Sequence, residues 1–284
     1  MLRMHGANTP MIIDACIFHN EVDMLDFRFN VLNDLVNHFV VVESLGRIGS
    51  AERKTESVFL ANKDRFKKFE HKLTYVLIPE LCPPYTDSAS GWQREKFQRS
   101  ALFNSACSAC SAAQPQDILI CSDVDEIPNP EAIEKKLPTI SKHIHRLELD
   151  LFYYNVNSYI GKWSTGTTIG PMSEYEKVGG SHEARNQSHY EVGRAIYGGG
   201  WHFSYFCGMA MMREKLKSFS HSQDAPILES LARSDTDITK DIKDYRDFLR
   251  RPDMPQFEHR SADDPRLPKY FLENRDKFPH FVEE

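Results

Sequence analysis

Short, continuously apolar runs alternate along the first half of the chain with longer stretches whose apolar residues recur every three or four positions. Met11 to Phe18 (MIIDACIF), Phe39 to Val42, Leu73 to Ile78 and Ile118 to Cys121 are runs of the first kind, each closed by charged or turn-forming residues. Such runs suit inner strands of a sheet covered on both faces. Between them, Glu21 to Val36 carries Met24, Leu25, Phe27, Val31, Leu32, Leu35 and Val36 at helical spacing. Glu56 to Phe66 predicts a second helix, and Trp92 to about Ala113 a long third one. The β-α-β-α-β-α-β order predicts a doubly wound, mostly parallel α/β sheet with right-handed crossovers.

The pattern changes after Pro128. Glu131 to Leu137 predicts a short helix, and Ile144 to Val156 a less regular, aromatic-rich strand. Trp163 to Ile169 and Ala195 to Phe206 predict further strands, antiparallel and joined by Gly-rich loops. From Glu214 onward the chain reads as mainly helical and strongly charged, with Asp235 to Arg251 as a solvated helix packed on one face. No repeat or low-complexity linker divides it. The expected organisation is a disordered lead over 1–10 and a single domain over 11–284. That domain comprises a nucleotide-sugar half (11–128), an acceptor half (129–222) and a C-terminal helical tail (223–284).

Composition narrows the partners. With 35 basic against 41 acidic residues the net charge is −6, which argues against nucleic acid or an anionic membrane as the main partner. No apolar run approaches the roughly 18 residues that span a bilayer, so no transmembrane segment is expected. Met1 to Pro10 lacks an apolar signal core, and the expected location is the cytoplasm. Six scattered cysteines, Cys107 and Cys110 among them, lack the second pair of a zinc site and read as reduced thiols.

Chemistry concentrates where the fourth apolar run stops. Asp117-Ile-Leu-Ile-Cys-Ser-Asp-Val-Asp-Glu-Ile-Pro128 is a buried strand followed at once by Asp123, Asp125 and Glu126. Ligands of open α/β sheets gather beyond the carboxyl ends of such strands. A solvated acidic turn would carry the same residue types. Three acids so close repel one another unless a cation or donors offset them. A D-x-D at a strand end within a parallel half-sheet suits a sugar-nucleotide diphosphate, neutralised by magnesium or manganese on hard oxygen ligands. Trp92, Glu95, Lys96 and Arg99 share one face of the preceding helix, with Arg94 near its start, where a diphosphate or base would find donors. An ordinary surface helix with internal ion pairs would look the same. Farther on, three glycines precede Trp201 and His202, and His221 closes Ser218-Phe-Ser-His221. Trp201 could be a sugar platform or a core residue, and either histidine a ligand or a structural residue.

Taken together, Phe18-His-Asn-Glu21, Val41-Val-Glu-Ser44, Trp92-x-Arg-Glu95 with Gln98-Arg99, Ser122-Asp-Val-Asp-Glu-Ile-Pro128, Gly200-Trp-His-Phe-Ser-Tyr-Phe206 and Lys217-Ser-Phe-Ser-His221 resemble glycosyltransferase family 17. That family includes the enzyme that adds bisecting GlcNAc to N-glycans. The resemblance implies a GT-A-like fold, a UDP-sugar donor, a glycan or glycoprotein acceptor, manganese or magnesium, and inversion at the anomeric carbon. It implies Asp123, Asp125 and His221 as metal ligands. Glu21, Glu43, Trp92, Arg94, Glu95, Arg99, Asp123, Asp125 and Trp201 become the expected donor-binding residues. Inverting transfer needs a general base, for which Glu183 is the expected residue, with His202 and Glu126 as alternatives. The loop after Ser44 departs from the family, reading Leu45-Gly-Arg-Ile-Gly49 in place of a Thr-rich stretch. Two competing functions are a haloacid-dehalogenase-like phosphatase, which also uses a strand-end D-x-D, and a carbohydrate-binding protein without turnover.

Overall fold

A computed structural model describes residues 10–110, 113–187 and 195–283; the expected lead over 1–10 lies almost wholly outside them. The first strands are β1 (Ile12–Phe18), β2 (His38–Ser44), β3 (Leu73–Ile78) and β4 (Ile118–Asp123), each on or within two residues of an apolar run. Helix α1 (Val22–Leu32) follows β1, the short α2 (Val58–Ala61) and a 3₁₀ segment follow β2, and α3 (Ser88–Ala109) precedes β4. All four strands are parallel, in the order β3-β2-β1-β4.

Alternate residues on these strands feed opposite layers. Ile12, Cys16 and Phe18 face α1 with Phe39, Val41, Ile118 and Ile120. Ile13, Ala15, Val40, Val42 and Leu119 face Leu102 and Ala106 of α3. Burial on both sides explains why the runs are continuously apolar. Helix α3 starts four residues earlier than expected, because Asp87 and Ser90 form a reciprocal capping box.

The second half is mixed. It contains β5 (Glu126–Pro128), α4 (Pro130–Ile140), β6 (His145–Tyr153), β7 (Ser158–Trp163), β8 (Thr168–Pro171), α5 (Met172–Val178), α6 (Ser181–Gln187) and β9 (Ala195–Ser204). The expected single strand from Trp163 to Ile169 is two elements, β7 and β8, which pair with different segments of β6. The strand expected to be antiparallel, β9, is antiparallel to β5 but parallel to β6. The whole is the α/β, GT-A-like architecture expected: a parallel half extended by a mixed half.

After β9 come α7 (Met209–Ser218), α8 (Ala225–Ala232), α9 (Asp235–Lys243), β10 (Glu258–His259) and α10 (Lys269–Glu273). The helix expected to reach Arg251 ends at Lys243, and Tyr245 and Arg250 adopt positive φ. The end of the expected helical tail contributes to the core: Phe271, Phe278 and Phe281 pack around Phe27 of α1, with centroids 6.3, 5.1 and 5.5 Å away. All six cysteines are unpaired. No helix among the described residues is long and apolar enough to cross a membrane.

Candidate active site

The loop after β4 carries the acid cluster, and the molecule holds that loop from beneath. Arg28 of α1 is fully buried and grips Asp14 of β1 through Nε to Oδ2 (2.8 Å) and Nη2 to Oδ1 (2.6 Å). Its remaining N–H groups donate to Ser122 Oγ (2.6 Å) and to the carbonyls of Asp123 (3.1 Å), Val124 (3.4 Å) and Glu126 (2.7 Å). One guanidinium thus fixes the path of the whole acidic turn. Its sequence signal is an arginine set in the apolar stripe of α1, three residues after Leu25 and one before Phe29.

Two close approaches then place the turn against the second half. Glu126 pairs with His202 across β5 and β9, which brings Asp125 to His202. At Gly200 (φ +152°) an added Cβ would lie 2.1 Å from the Ile127 carbonyl, so only glycine allows this pairing. At Gly166 a Cβ would lie 1.9 Å from Glu126 Oε1. Glu126 is fully buried there and accepts from Trp163 Nε1 (3.1 Å), Thr167 Oγ1 (3.0 Å) and Arg185 Nη1 (3.3 Å). It secures the turn and is not open to substrate.

A cavity of about 360 Å³ opens over the turn, within the range of small-ligand sites. One side is built from the ends of β1 and β2 and from α3: Ile17, His19, Ser44, Arg47, Trp92 and Glu95. The other is built from β6, β7 and β9: Leu151, Tyr153, Trp163, His202 and Ser204. Asp123 and Asp125 lie between these sides, where strand order switches from the parallel half to the mixed one.

The acids are matched by cations. Arg99 Nη1 and Nη2 donate to both Asp123 oxygens (2.8 and 3.0 Å), and Arg99 Nε to Glu95 (2.9 Å). Arg185 reaches Asp123 Oδ2 at 3.5 Å. Burial alone would push the Asp123 carboxyl up, but Arg99 and Arg185 outweigh it and hold it down at about 2. Asp125 Oδ2 accepts from Lys215 Nζ of α7 (2.9 Å), and His202 Nε2 lies 3.7 Å from Oδ1. Burial likewise opposes ionisation of Asp125, yet Lys215 and His202 keep it well below the usual carboxylate range.

Of the residues expected from sequence, Glu21, Trp92, Glu95, Arg99, Asp123, Asp125, His202 and His221 line this cavity. Glu43 does not. It is fully buried beneath the loop after β2, accepting from Lys54 (2.6 Å), Ser57 (2.8 Å), Tyr75 (2.8 Å) and two backbone amides. Arg94 points away to the Arg47 carbonyl (2.7 Å). Trp201 is a core residue, 7% exposed, with Nε1 donating to the Arg266 carbonyl (2.8 Å). Trp163 lines the cavity on that side instead, its ring 5.1 Å from that of His202. Glu183 sits on α6 outside the cavity, paired with Lys96 at 2.9 Å. Lys215, Arg185, Trp163 and Arg28 were not legible as site residues. Lys215 in particular lies in a charged stretch, Arg213 to Lys217, that reads as a solvated helix.

A divalent ion needs free oxygen or nitrogen donors. Both Asp123 oxygens are engaged by Arg99, and Asp125 is held by Lys215. His221 Nδ1 is 2.6 Å from Asp224 Oδ2, with its ring against Trp92 (4.7 Å). Among the described residues no three His, Cys, Asp or Glu side chains converge as metal ligands. Asp123, Asp125 and His221 are thus not brought together as one three-ligand set among the described residues.

Comparison with known proteins adds identity to this geometry. The chain is 24% identical to the β-1,4-mannosyl-glycoprotein 4-β-N-acetylglucosaminyltransferase of Rattus norvegicus, over 96% of this chain and 54% of that one. It is 23% identical to the Homo sapiens protein of the same name, over 96% and 55%. The chain therefore spans about half the length of these curated relatives. Among solved structures, HddC from Yersinia pseudotuberculosis overlaps with a TM-score of 0.37 at 12% identity, covering 66% of this chain and 89% of that one. Bifunctional IspDF from Campylobacter jejuni overlaps with a TM-score of 0.34 at 11% identity, covering 74% and 53%. Likeness at that level carries no argument about chemistry. The model named Glycosyltransferase family 17 matches residues 3–283, nearly the whole chain, and the protein belongs to that family.

Proposed function

We propose that the chain transfers a sugar, GlcNAc in the first instance, from a UDP-sugar to a hydroxyl of a glycan acceptor, with inversion at the anomeric carbon. The observation that carries this reading is the position of Asp123 and Asp125. They stand at the end of β4, inside one cavity that straddles the parallel and mixed halves of the sheet. The nucleoside belongs over the ends of β1 and β2, the usual ligand crevice of such sheets. The transferred sugar and the acceptor then lie over β6, β7 and β9, with Trp163 as the ring platform. Arg99 and Arg185 contribute positive charge beside the diphosphate, at the place where negative charge develops on the leaving group.

The acceptor hydroxyl attacks the anomeric carbon, the bond from that carbon to the phosphate oxygen breaks, and UDP leaves with the bonding electrons. The proton released by the hydroxyl passes to the imidazole of His202, the one of the expected bases that lines the cavity.

Incubation with UDP-GlcNAc and a set of N-glycan acceptors tests this, by following UDP release and the mass of the product glycan. Acceptor-dependent UDP release with a product heavier by one GlcNAc is the expected result. Hydrolysis of simple phosphomonoesters without UDP-sugar binding would return the phosphatase reading. Glycan binding without turnover of any UDP-sugar would return the carbohydrate-binding one.

A further inference from the structure

Lys215 stands apart from the other cations of the cavity. Arg99 commits all three nitrogens of its fork, two to Asp123 and one to Glu95, so withdrawing it would break three hydrogen bonds to two acids at once. Among the described residues, Lys215 has a single acceptor within hydrogen-bonding distance, Asp125 Oδ2 at 2.9 Å. Glu21 Oε1 lies farther off at 3.8 Å, and the Tyr205 ring centroid at 5.4 Å. An ammonium carries three donors on a flexible stem and can pivot between partners, which a fork cannot do. If Lys215 moves, Asp125 still has His202 Nε2 as a neighbour, 3.7 Å from Oδ1.

The base of this lysine is anchored while its tip is not. The end of α7 is tied to the loop after β2 by Gly49 N donating to the Ser218 carbonyl (3.0 Å) and Ser222 Oγ donating to the Gly49 carbonyl (2.9 Å). The side chain is one-quarter exposed and lines the cavity.

Resting on the transfer reading, we infer that Lys215 is an exchangeable counter-ion. In the nucleotide-free protein it neutralises Asp125, and when the donor binds it turns to the diphosphate oxygens. It thereby places a positive charge on the leaving group. A diphosphate offers more charge and more acceptor oxygens than one carboxylate, so the exchange runs toward the nucleotide.

Calorimetric titration of UDP in EDTA tests this with the wild-type chain, Lys215→Met, Lys215→Arg and Asp125→Asn. Wild type should bind. Lys215→Met should bind about tenfold more weakly or worse, the worth of one charge-assisted hydrogen bond, and Lys215→Arg should fall between. Asp125→Asn releases the lysine without touching the phosphate, and should bind UDP as tightly as wild type or more tightly. If circular dichroism shows Lys215→Met to be unfolded, Asp125→Asn decides alone. Wild-type affinity in Lys215→Met, weakened affinity in Asp125→Asn, or binding that appears only with added Mn²⁺ would each overturn the inference. A wild-type chain that binds no uridine nucleotide under either condition would overturn the transfer reading itself.

Discussion

Arg28 and Asp14 form a two-pronged ion pair, 2.8 and 2.6 Å, in which both side chains are completely buried. Neither touches the cavity. The pair nonetheless sets the position of the acidic turn, since the other half of the guanidinium holds Ser122 and three carbonyls between Asp123 and Glu126. Arg28→Leu would leave one buried carboxylate and these acceptors without a partner. It should lower stability by about 3–5 kcal/mol, the usual consequence of removing one member of a buried pair. Arg28→Lys keeps the charge but not the fork, and should fold with a weaker affinity for UDP. Urea unfolding measures the first effect and nucleotide titration the second. A loss below about 1 kcal/mol for Arg28→Leu, the scale of a surface pair, would mean that the turn is held by something else.

The ion pairs of Asp123 give the site an acid limit. Its carboxyl lies at about 2 in the folded protein, below its unfolded value near roughly 3.9. A group depressed in this way contributes stability above its unfolded value and loses it as pH falls through the folded one. The melting temperature of wild type should exceed that of Asp123→Asn by a constant margin from pH 8 to pH 5. That margin should shrink below about pH 4 and vanish toward pH 2. A margin that changed between pH 8 and 5 would contradict the assignment of Arg99 and Arg185 as its partners.

Much of this architecture is legible in sequence, for a simple reason. Strands buried on both faces leave uninterrupted apolar runs, and a D-x-D directly after one of them marks the carboxyl end of a central strand. Spacing put Trp92, Glu95 and Arg99 on one helix face and left their role open between ligand contact and surface ion pairs; the family resemblance favoured the first for them and for His202, and all four line the cavity. What escaped has a common cause. Glu43 and Trp201 look like ligand contacts, but a strand pattern does not reveal that Lys54, Ser57 and Tyr75 close over the one, or that Arg266 caps the other. Lys215 and Arg185 are brought in by elements distant in sequence, from helices whose composition resembles ordinary surface. The tail's part in the core escaped because its phenylalanines are spread singly through a charged segment, yet converge on Phe27.

The two tryptophans of the second half should separate cleanly. Trp201 is packed in the core with its indole N–H satisfied by a carbonyl. Trp201→Phe should reduce stability by about 1–3 kcal/mol through that unpaired acceptor, with UDP affinity unchanged in the folded fraction. Trp163 lines the cavity beside His202. Trp163→Ala should weaken binding of the whole UDP-sugar about tenfold relative to UDP alone, since an aromatic face contributes on the order of 1 kcal/mol. Parallel titrations of UDP and UDP-GlcNAc against both variants measure the split. Equal losses for the two ligands in Trp163→Ala would remove it from the sugar platform.

The base is the assignment on which sequence and geometry point in different directions, and it can be decided by two substitutions. Glu183 forms an ion pair with Lys96 at 2.9 Å on the outer side of α6, with more than a third of its side chain exposed. An exposed pair of that kind contributes little to stability, and no part of it borders the cavity. Glu183→Gln should therefore leave kcat within about twofold of wild type. His202 borders the cavity between Asp125 and Trp163, held there by the pairing of β5 with β9. His202→Gln preserves the shape of the strand but cannot carry a proton away. It should lower kcat by about 10²–10⁴-fold, the usual worth of a positioned base, while KM for the donor changes little. Steady-state kinetics on both variants measure the two effects against each other. A collapse of kcat in Glu183→Gln with an active His202→Gln would reverse the roles and require α6 to swing its acidic face into the cavity during turnover.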